Sequence, residues 1–147
     1  MMMEQYLRLK ALINFIRSYF LQIQTRKEIS MKQQTIAFDF DGVIHSYVTP
    51  WVASEIIPDP PVIGIKDTID SLREQGYKIA IVSSRCLDPR GIEAVKEYLD
   101  TYNIVVDRIT SEKIPAICYV DDRAICFDGH PETLMQKIVE FKPWNRK

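Results

Sequence analysis

From residue 34 onward, short apolar runs lead directly into acidic or hydroxyl residues, and this pattern restricts the fold most strongly. Three runs end in this way: 35–38 before Asp39, 78–82 before Ser83, and 117–120 before Asp121. Stretches with helical apolar spacing separate the runs. Strands that are apolar on both faces and alternate with helices are typical of parallel sheets. The pattern therefore predicts a doubly wound, Rossmann-like α/β domain with helices on both faces of a parallel sheet.

The individual elements follow from the same periodicity. The predicted strands cover residues 35–38, 78–83, 104–106 and 117–120, with a further possible strand at 125–127. The predicted helices are one marked by Ile65, Ile69 and Leu72 that ends near Gly76, one over residues 91–102, and one over residues 131–140. Residues 43–61 contain four prolines. Because proline breaks helices, this stretch is predicted to be irregular.

An amphipathic helix is predicted over about residues 3–26, where apolar residues from Leu9 to Ile23 recur at helical spacing. The chain is thus divided into an N-terminal extension, 1–30, and an α/β domain, 31–147. The helix could pack on the domain, pair with a second copy to form a homo-oligomer, or lie on a membrane surface. Because Arg17 interrupts a short apolar stretch, a membrane span is not expected. Met31 directly precedes the first strand, so residues 1–30 could also be an extension without a role in the chemistry.

Charge and cysteine content narrow the class of protein. The net charge is −1, so we expect no nucleic-acid partner. The three cysteines are Cys86, Cys118 and Cys126, and their spacing suggests neither a disulfide framework nor a zinc site. Cys118 lies in an apolar run and is expected in the core. Reduced thiols fit a cytoplasmic protein.

Acidic residues follow the first and last of the main predicted strands. Asp39 and Asp41 follow the first, and Asp121 and Asp122 follow the fourth. Ligands bind at the carboxyl ends of strands in open parallel sheets, so these carboxylates are expected to converge. Clustered carboxylates require a cation or a proton, and an all-oxygen site favours Mg²⁺. A phosphoryl group could complete the shell of such an ion.

Other side chains at the same edge suit phosphate chemistry. Ser83 and Lys113 could hold phosphate oxygens. A carboxylate such as Asp39 can attack phosphorus, and Asp41 could transfer protons. Gly42 would allow a tight turn beside the ligand.

The order of these motifs resembles the haloacid dehalogenase-like (HAD) superfamily. The matching segments are 39–43, 81–85, Lys113 and 119–122. The resemblance implies that Asp39 is the nucleophile and a metal ligand. It also implies that Asp41 is the general acid/base and binds metal through its backbone carbonyl. Because the dehalogenases of the superfamily lack the second acidic residue, the resemblance favours a phosphatase.

The resemblance also implies roles for the remaining motif residues. Ser83 would bind phosphate, Lys113 would neutralise charge, and Asp121 would ligate Mg²⁺ with help from Asp122. The phosphate-binding hydroxyl could instead be that of Ser84.

Three neighbouring features are open to more than one interpretation. Arg85 could contact the substrate or pair with Asp88 or Asp122. His45 could touch the substrate, although a lone histidine is usually structural. Tyr47 and Trp51 could form the packing core of a small flap over residues 51–61, or stack on a nucleoside base. The chain has little room for an inserted cap, so the site is expected to be open.

The sequence thus predicts a Mg²⁺-dependent phosphatase that acts on a small phosphate ester, with a nucleotide or a sugar phosphate as the candidate substrates. One alternative is a HAD-fold binding or assembly protein with little or no turnover. Another is a response-regulator receiver, which also uses an aspartyl-phosphate. In a receiver the acidic pair comes before the phosphoacceptor, and here the order is reversed.

Overall fold

The computed structural model describes residues 2–31 and 34–145, with side chains described for 3–24 and 34–145. The helices are α1 (Met2–Met31), α2 (Ile65–Glu74), α3 (Pro89–Thr101) and α4 (Pro131–Glu140). The strands are β1 (Thr35–Phe38), β2 (Lys78–Val82), β3 (Arg108–Thr110) and β4 (Cys118–Val120). A 3₁₀ turn over Ser84–Leu87 joins β2 to α3.

The four strands form one parallel sheet in the order β3-β2-β1-β4. This confirms the α/β class and the parallel sheet, and the arrangement is consistent with a Rossmann-like fold. β1 lies between β2 and β4, so both neighbours end beside Asp39. Helices on both faces of the sheet, as the doubly wound prediction requires, stay a prediction.

The core lies between the sheet and the two helices that connect its strands. Ile79 and Ile81 of β2 are fully buried, as are Ile69 of α2 and Val95 of α3. Local signals explain where the helices begin and end. Asp88 accepts a hydrogen bond from the Arg90 N–H at the start of α3, while Gly76, with φ of 91°, follows the end of α2. These helices match the predictions.

Two predicted strands differ from the structure. The strand expected at 104–106 lies at Arg108–Thr110 instead, where it pairs with Ala80–Val82. Ile104 packs into the core cluster, and its burial explains the apolar run that suggested a strand. Residues 125–127 are not a strand, and Phe127 is exposed.

The β4 side of the sheet is more open than predicted. Cys118, Tyr119 and Val120 are all exposed, so the prediction that Cys118 lies in the core is wrong. These residues are exposed because β4 lies at an edge of the sheet and because α4, which follows it, has no buried residue.

The N-terminal helix is longer than predicted, and none of its side chains that the structure describes is buried against the α/β domain. Every described side chain from Met3 to Gln24 is exposed. Leu7, Phe15 and Leu21 lie away from the stripe that begins at Leu9, so apolar side chains occur on all sides and the helix is not cleanly amphipathic. Pairing with a second copy stays a prediction. No described helix is both long and apolar enough to cross a bilayer.

Candidate active site

Three carboxylates meet at the carboxyl edge of β1 and β4. Asp39 follows β1, and Asp121 and Asp122 follow β4. The Asp39 N–H donates to the Val120 carbonyl at 2.8 Å and so extends the pairing of the two strands to this edge. Each of the three acids offers an oxygen within 4.8 Å of the others. The predicted convergence is therefore present, and the three residues could hold a metal ion.

The charge of this acidic cluster is balanced only in part: Arg123, which is largely exposed, has its Nε 3.9 Å from an Asp122 oxygen. Burial raises the pKa of Asp39 to about 7; the Phe40 N–H, 2.7 Å from Oδ1, acts in the opposite direction. The carboxylates of Asp121, Asp41 and Asp122 are smaller contributions to the same rise in pKa. A divalent cation among these oxygens would offset both the burial and the repulsion.

Asp41 points away from the cluster into a basic environment. Arg85 Nε donates to its two oxygens at 3.0 and 2.7 Å, and His45 Nδ1 lies 2.8 Å from Oδ1. Burial raises the pKa of Asp41, but the hydrogen bonds from His45 and Arg85 outweigh it, and the net shift is downward. The side chain of Asp41 is thus held as a carboxylate outside the acidic cluster. Binding of metal through the Asp41 backbone carbonyl, which the resemblance implies, stays a prediction.

His45 is fully buried and connects Asp41 to the loop that follows. Its Nε2 accepts from the Asp59 N–H at 3.2 Å, which places the ring proton on Nδ1, facing Asp41. Asp59 in turn accepts hydrogen bonds from the N–H and hydroxyl of Thr49 at 2.8 and 2.7 Å. His45 is therefore a structural residue of the site.

Arg85 is almost completely buried and fixes the same loop. Its Nη1 donates to three backbone carbonyls, those of Ala53, Ser54 and Ile56, at 2.9 to 3.1 Å. Its guanidinium lies 4.3 Å from the ring centroid of Trp51. Arg85 pairs with Asp41 rather than with Asp88 or Asp122. Because Arg85 is buried under this loop, it is not placed for the substrate contact suggested by the sequence.

The two candidate phosphate-binding hydroxyls, those of Ser83 and Ser84, differ in their exposure to solvent. Ser83 is buried, and its oxygen accepts from the Arg85 N–H at 3.3 Å. Ser84 is exposed and lines a cavity of about 190 Å³. The other residues of this cavity are Asp41, Tyr47, Trp51 and Arg123.

Lys113 lies in the connection between β3 and β4. Its Nζ is 5.5 Å from the ring centroid of Tyr119, whose hydroxyl bonds to the backbone of Ile114. No ion pair joins Lys113 to Asp39 in the part of the chain that the structure describes. The structure therefore brings the three acids together but leaves Lys113 outside their contacts.

Residues after α4 reach the site, which sequence reasoning missed. Trp144 Nε1 donates to the Gly42 carbonyl at 2.8 Å, and both residues line a cavity of about 240 Å³ with Asp121 and Asp122. Gly42 has φ of 88°, and a Cβ there would overlap the Asp122 carboxylate. No local pattern near Trp144 indicates this contact, because the two residues are 102 positions apart.

Comparisons with known proteins give little guidance. No family matches the chain, and no curated protein does. Among solved structures, a conserved protein from Bacteroides thetaiotaomicron is 19% identical, with a TM-score of 0.49 over 75% of this chain and 99% of that one. A chain in the structure of the Pnkp1/Rnl/Hen1 complex is also 19% identical, with a TM-score of 0.44 over 80% of this chain and 37% of that chain. Similarities of this size identify neither a family nor an activity.

Proposed function

We propose that this chain is a HAD-like, Mg²⁺-dependent phosphatase that hydrolyses a small phosphate ester through an aspartyl-phosphate on Asp39. The observation that carries the proposal is the meeting of Asp39, Asp121 and Asp122 at one edge of the sheet. The HAD resemblance of the sequence, with its doubly wound fold and cytoplasmic setting, belongs to the same proposal.

The donor set fits Mg²⁺. All three side chains offer oxygen, and Mg²⁺ typically binds one or two carboxylates while keeping waters and substrate phosphate in its shell. The bound ion would neutralise the charge that otherwise opposes ionisation of Asp39. Asp39, Asp121 and Asp122 would hold it, together with the Asp41 backbone carbonyl.

The covalent steps involve the chain's own residues. An Asp39 oxygen attacks phosphorus, a P–O bond to Asp39 forms, and the P–O bond to the leaving group breaks. Water then attacks the aspartyl-phosphate and releases inorganic phosphate. Asp41 lies two residues after the nucleophile and, as a carboxylate, suits the removal of a proton from that water. Ser84 at the cavity, or Ser83 below it, would hold a phosphate oxygen.

One observation favours a second candidate function. Arg85 and His45 hold Asp41 as a carboxylate, whereas protonation of a poor leaving group needs the acid form. A site that cannot protonate the leaving oxygen would turn over slowly. A HAD-fold binding or assembly protein with little turnover is therefore the alternative.

A phosphate-release assay tests the proposal. With Mg²⁺ and a panel of phosphate esters, the wild type should release many equivalents of phosphate, and Asp39→Asn should fall to the limit of detection. Asp100→Asn, an exposed carboxylate on α3, is the matched control and should keep full activity. Equal rates in the wild type and Asp39→Asn would contradict the nucleophile, whereas a silent wild type would favour the binding protein.

A further inference from the structure

The cavity beside Asp41 is walled by two aromatic rings, a hydroxyl and a cation. Its lining residues are Asp41, Tyr47, Trp51, Ser84 and Arg123, and its volume is about 190 Å³. This volume exceeds the ~30 Å³ that one water occupies in the liquid by several-fold. It is smaller than the pocket of ~300 Å³ or more that a drug-sized ligand fills. The cavity therefore has room for one flat ring system.

The position of the cavity relates it to the leaving group. Asp41 lies two residues after the proposed nucleophile, and its accessible edge lines the cavity. Arg123 connects the cavity to the acidic cluster, because its N–H donates to Asp121 at 2.7 Å and its Nε is 3.9 Å from Asp122. A phosphoryl group on Asp39 would thus have its ester oxygen on the side of Asp41. The remainder of the substrate would enter this cavity.

Trp51 is held in place as a stacking surface. Its indole lies over the buried Arg85 guanidinium at 4.3 Å, and Arg85 is fixed by Asp41 and by three loop carbonyls. Yet Trp51 remains 48% exposed. One side of the ring is therefore supported from within the protein while the rest is open to a ligand. A ring fixed in advance loses little conformational freedom on binding.

From this geometry we propose that the cavity binds a flat aromatic ring in the leaving group of the substrate. The ring stacks on Trp51, and Arg123 donates to acceptor atoms on the ring or its sugar. The assignment rests on the proposed function of Asp39. It names the substrate class as aromatic phosphate esters, which include nucleoside monophosphates and aryl phosphates, in place of sugar or glycerol phosphates.

Kinetics with three esters test whether the substrate is an aromatic phosphate ester, and they distinguish a nucleoside monophosphate from an aryl phosphate. We expect the wild type to give a lower KM for uridine 5′-monophosphate and phenyl phosphate than for glycerol 3-phosphate. Trp51→Ala should raise the KM of the aromatic esters about tenfold, since base–aromatic stacking typically contributes ~1–3 kcal/mol. The KM for glycerol 3-phosphate should stay unchanged. A preference for uridine monophosphate over phenyl phosphate would identify a nucleoside, and the reverse an aryl group.

Two further variants separate stacking from folding. Trp51→Phe keeps an aromatic ring over Arg85 and should retain most of the preference. Val52→Ala changes an exposed neighbour outside the cavity and should leave all three KM values unchanged. Equal KM shifts for all three esters in Trp51→Ala, or no aromatic preference in the wild type, would overturn the proposal while leaving the Asp39 chemistry intact.

A binding measurement keeps the proposal testable without turnover. With Mg²⁺ present, uridine and phenyl phosphonate should shift the indole N–H signal of Trp51 in the NMR spectrum, and glycerol should not. The signal is assigned by its loss in Trp51→Phe. A wild type that hydrolyses no ester but shows these shifts would contradict the phosphatase and support the aromatic site. Absence of the shifts would overturn the aromatic site whatever the activity.

Discussion

Asp39 and Asp41 are two positions apart but lie in opposite electrostatic surroundings. Asp39 faces Asp121 and Asp122, and burial with this repulsion raises its pKa to about 7. Asp41 faces Arg85 and His45, which lower its pKa despite burial. Arg85 and His45 compensate the charge of Asp41, whereas Arg123 compensates the acidic cluster only in part, and the three acids of the cluster could hold a cation. The comparison separates a structural half of the site, which is Asp41 with Arg85 and His45, from a ligand half, which is the acidic cluster that could hold a cation.

The largest effect on stability is expected from removing Arg85, the basic side chain of the structural half. Arg85→Ala should lower the free energy of unfolding by about 3–5 kcal/mol, because it leaves the buried Asp41 carboxylate without its ion pair. It also removes three hydrogen bonds to the loop. Urea unfolding measures the change. Arg90→Ala is the control, since Arg90 is exposed and solvent screens its ion pairs with Asp88 and Glu55, so the free energy of unfolding should change little.

The same substitution at the two aspartates should act in opposite directions. Without divalent metal at pH 8, Asp41→Asn should destabilise the fold by about 3 kcal/mol, since Arg85 loses its buried partner. Asp39→Asn should stabilise it by about 1–3 kcal/mol, since it removes the charge that burial and repulsion disfavour. Urea unfolding in a chelator measures both. Two changes of the same sign would refute the contrast.

The two pKa shifts predict distinct pH dependences. The folded state retains the Asp39 proton above the ordinary value of 3.8, so without metal stability should fall as the pH rises from about 4 to about 7. The Asp41 contribution is present above 3.8 and should be lost as the pH falls through its lowered pKa.

Because Mg²⁺ competes with the Asp39 proton, added Mg²⁺ should raise the melting temperature more at pH 8 than at pH 5. Thermal scans with Mg²⁺ and with chelator at both pH values measure the difference. An equal Mg²⁺ effect at pH 5 and pH 8 would argue against binding at Asp39.

A smaller effect on stability is expected at the turn that contains Gly42. Trp144→Phe removes the hydrogen bond to the Gly42 carbonyl and should cost about 1 kcal/mol of stability. Urea unfolding again gives the value. If Trp144→Phe and the wild type unfold at the same urea concentration, the contact does not hold the turn.

The ligand half was the more predictable from sequence. Asp39, Asp121 and Asp122 each follow an apolar run, and parallel strands bring their carboxyl ends to one edge. Strand order and the edge position of β4 were not predictable, because neither depends on local periodicity. The exposure of Cys118 follows from that edge position.

The structural half depends on pairings between distant residues. Arg85 and Asp41 are 44 positions apart, and nothing in the sequence around Arg85 distinguishes Asp41 from Asp88 as its partner. Burial decides the outcome: Arg85 lies under the loop after β1, where Asp41 and three carbonyls are the acceptors within reach. Ion pairs of this kind can be predicted only when the fold is known.

Calorimetric titration of Mg²⁺ at pH 8 tests the central claim most directly, because it asks whether the acidic cluster shares a cation. The wild type and the Asp100→Asn control should bind one ion with equal affinity, and Asp39→Asn and Asp121→Asn should each lose that binding. Failure of the wild type to bind Mg²⁺ at millimolar concentration, or equal affinity in all four proteins, would contradict the account.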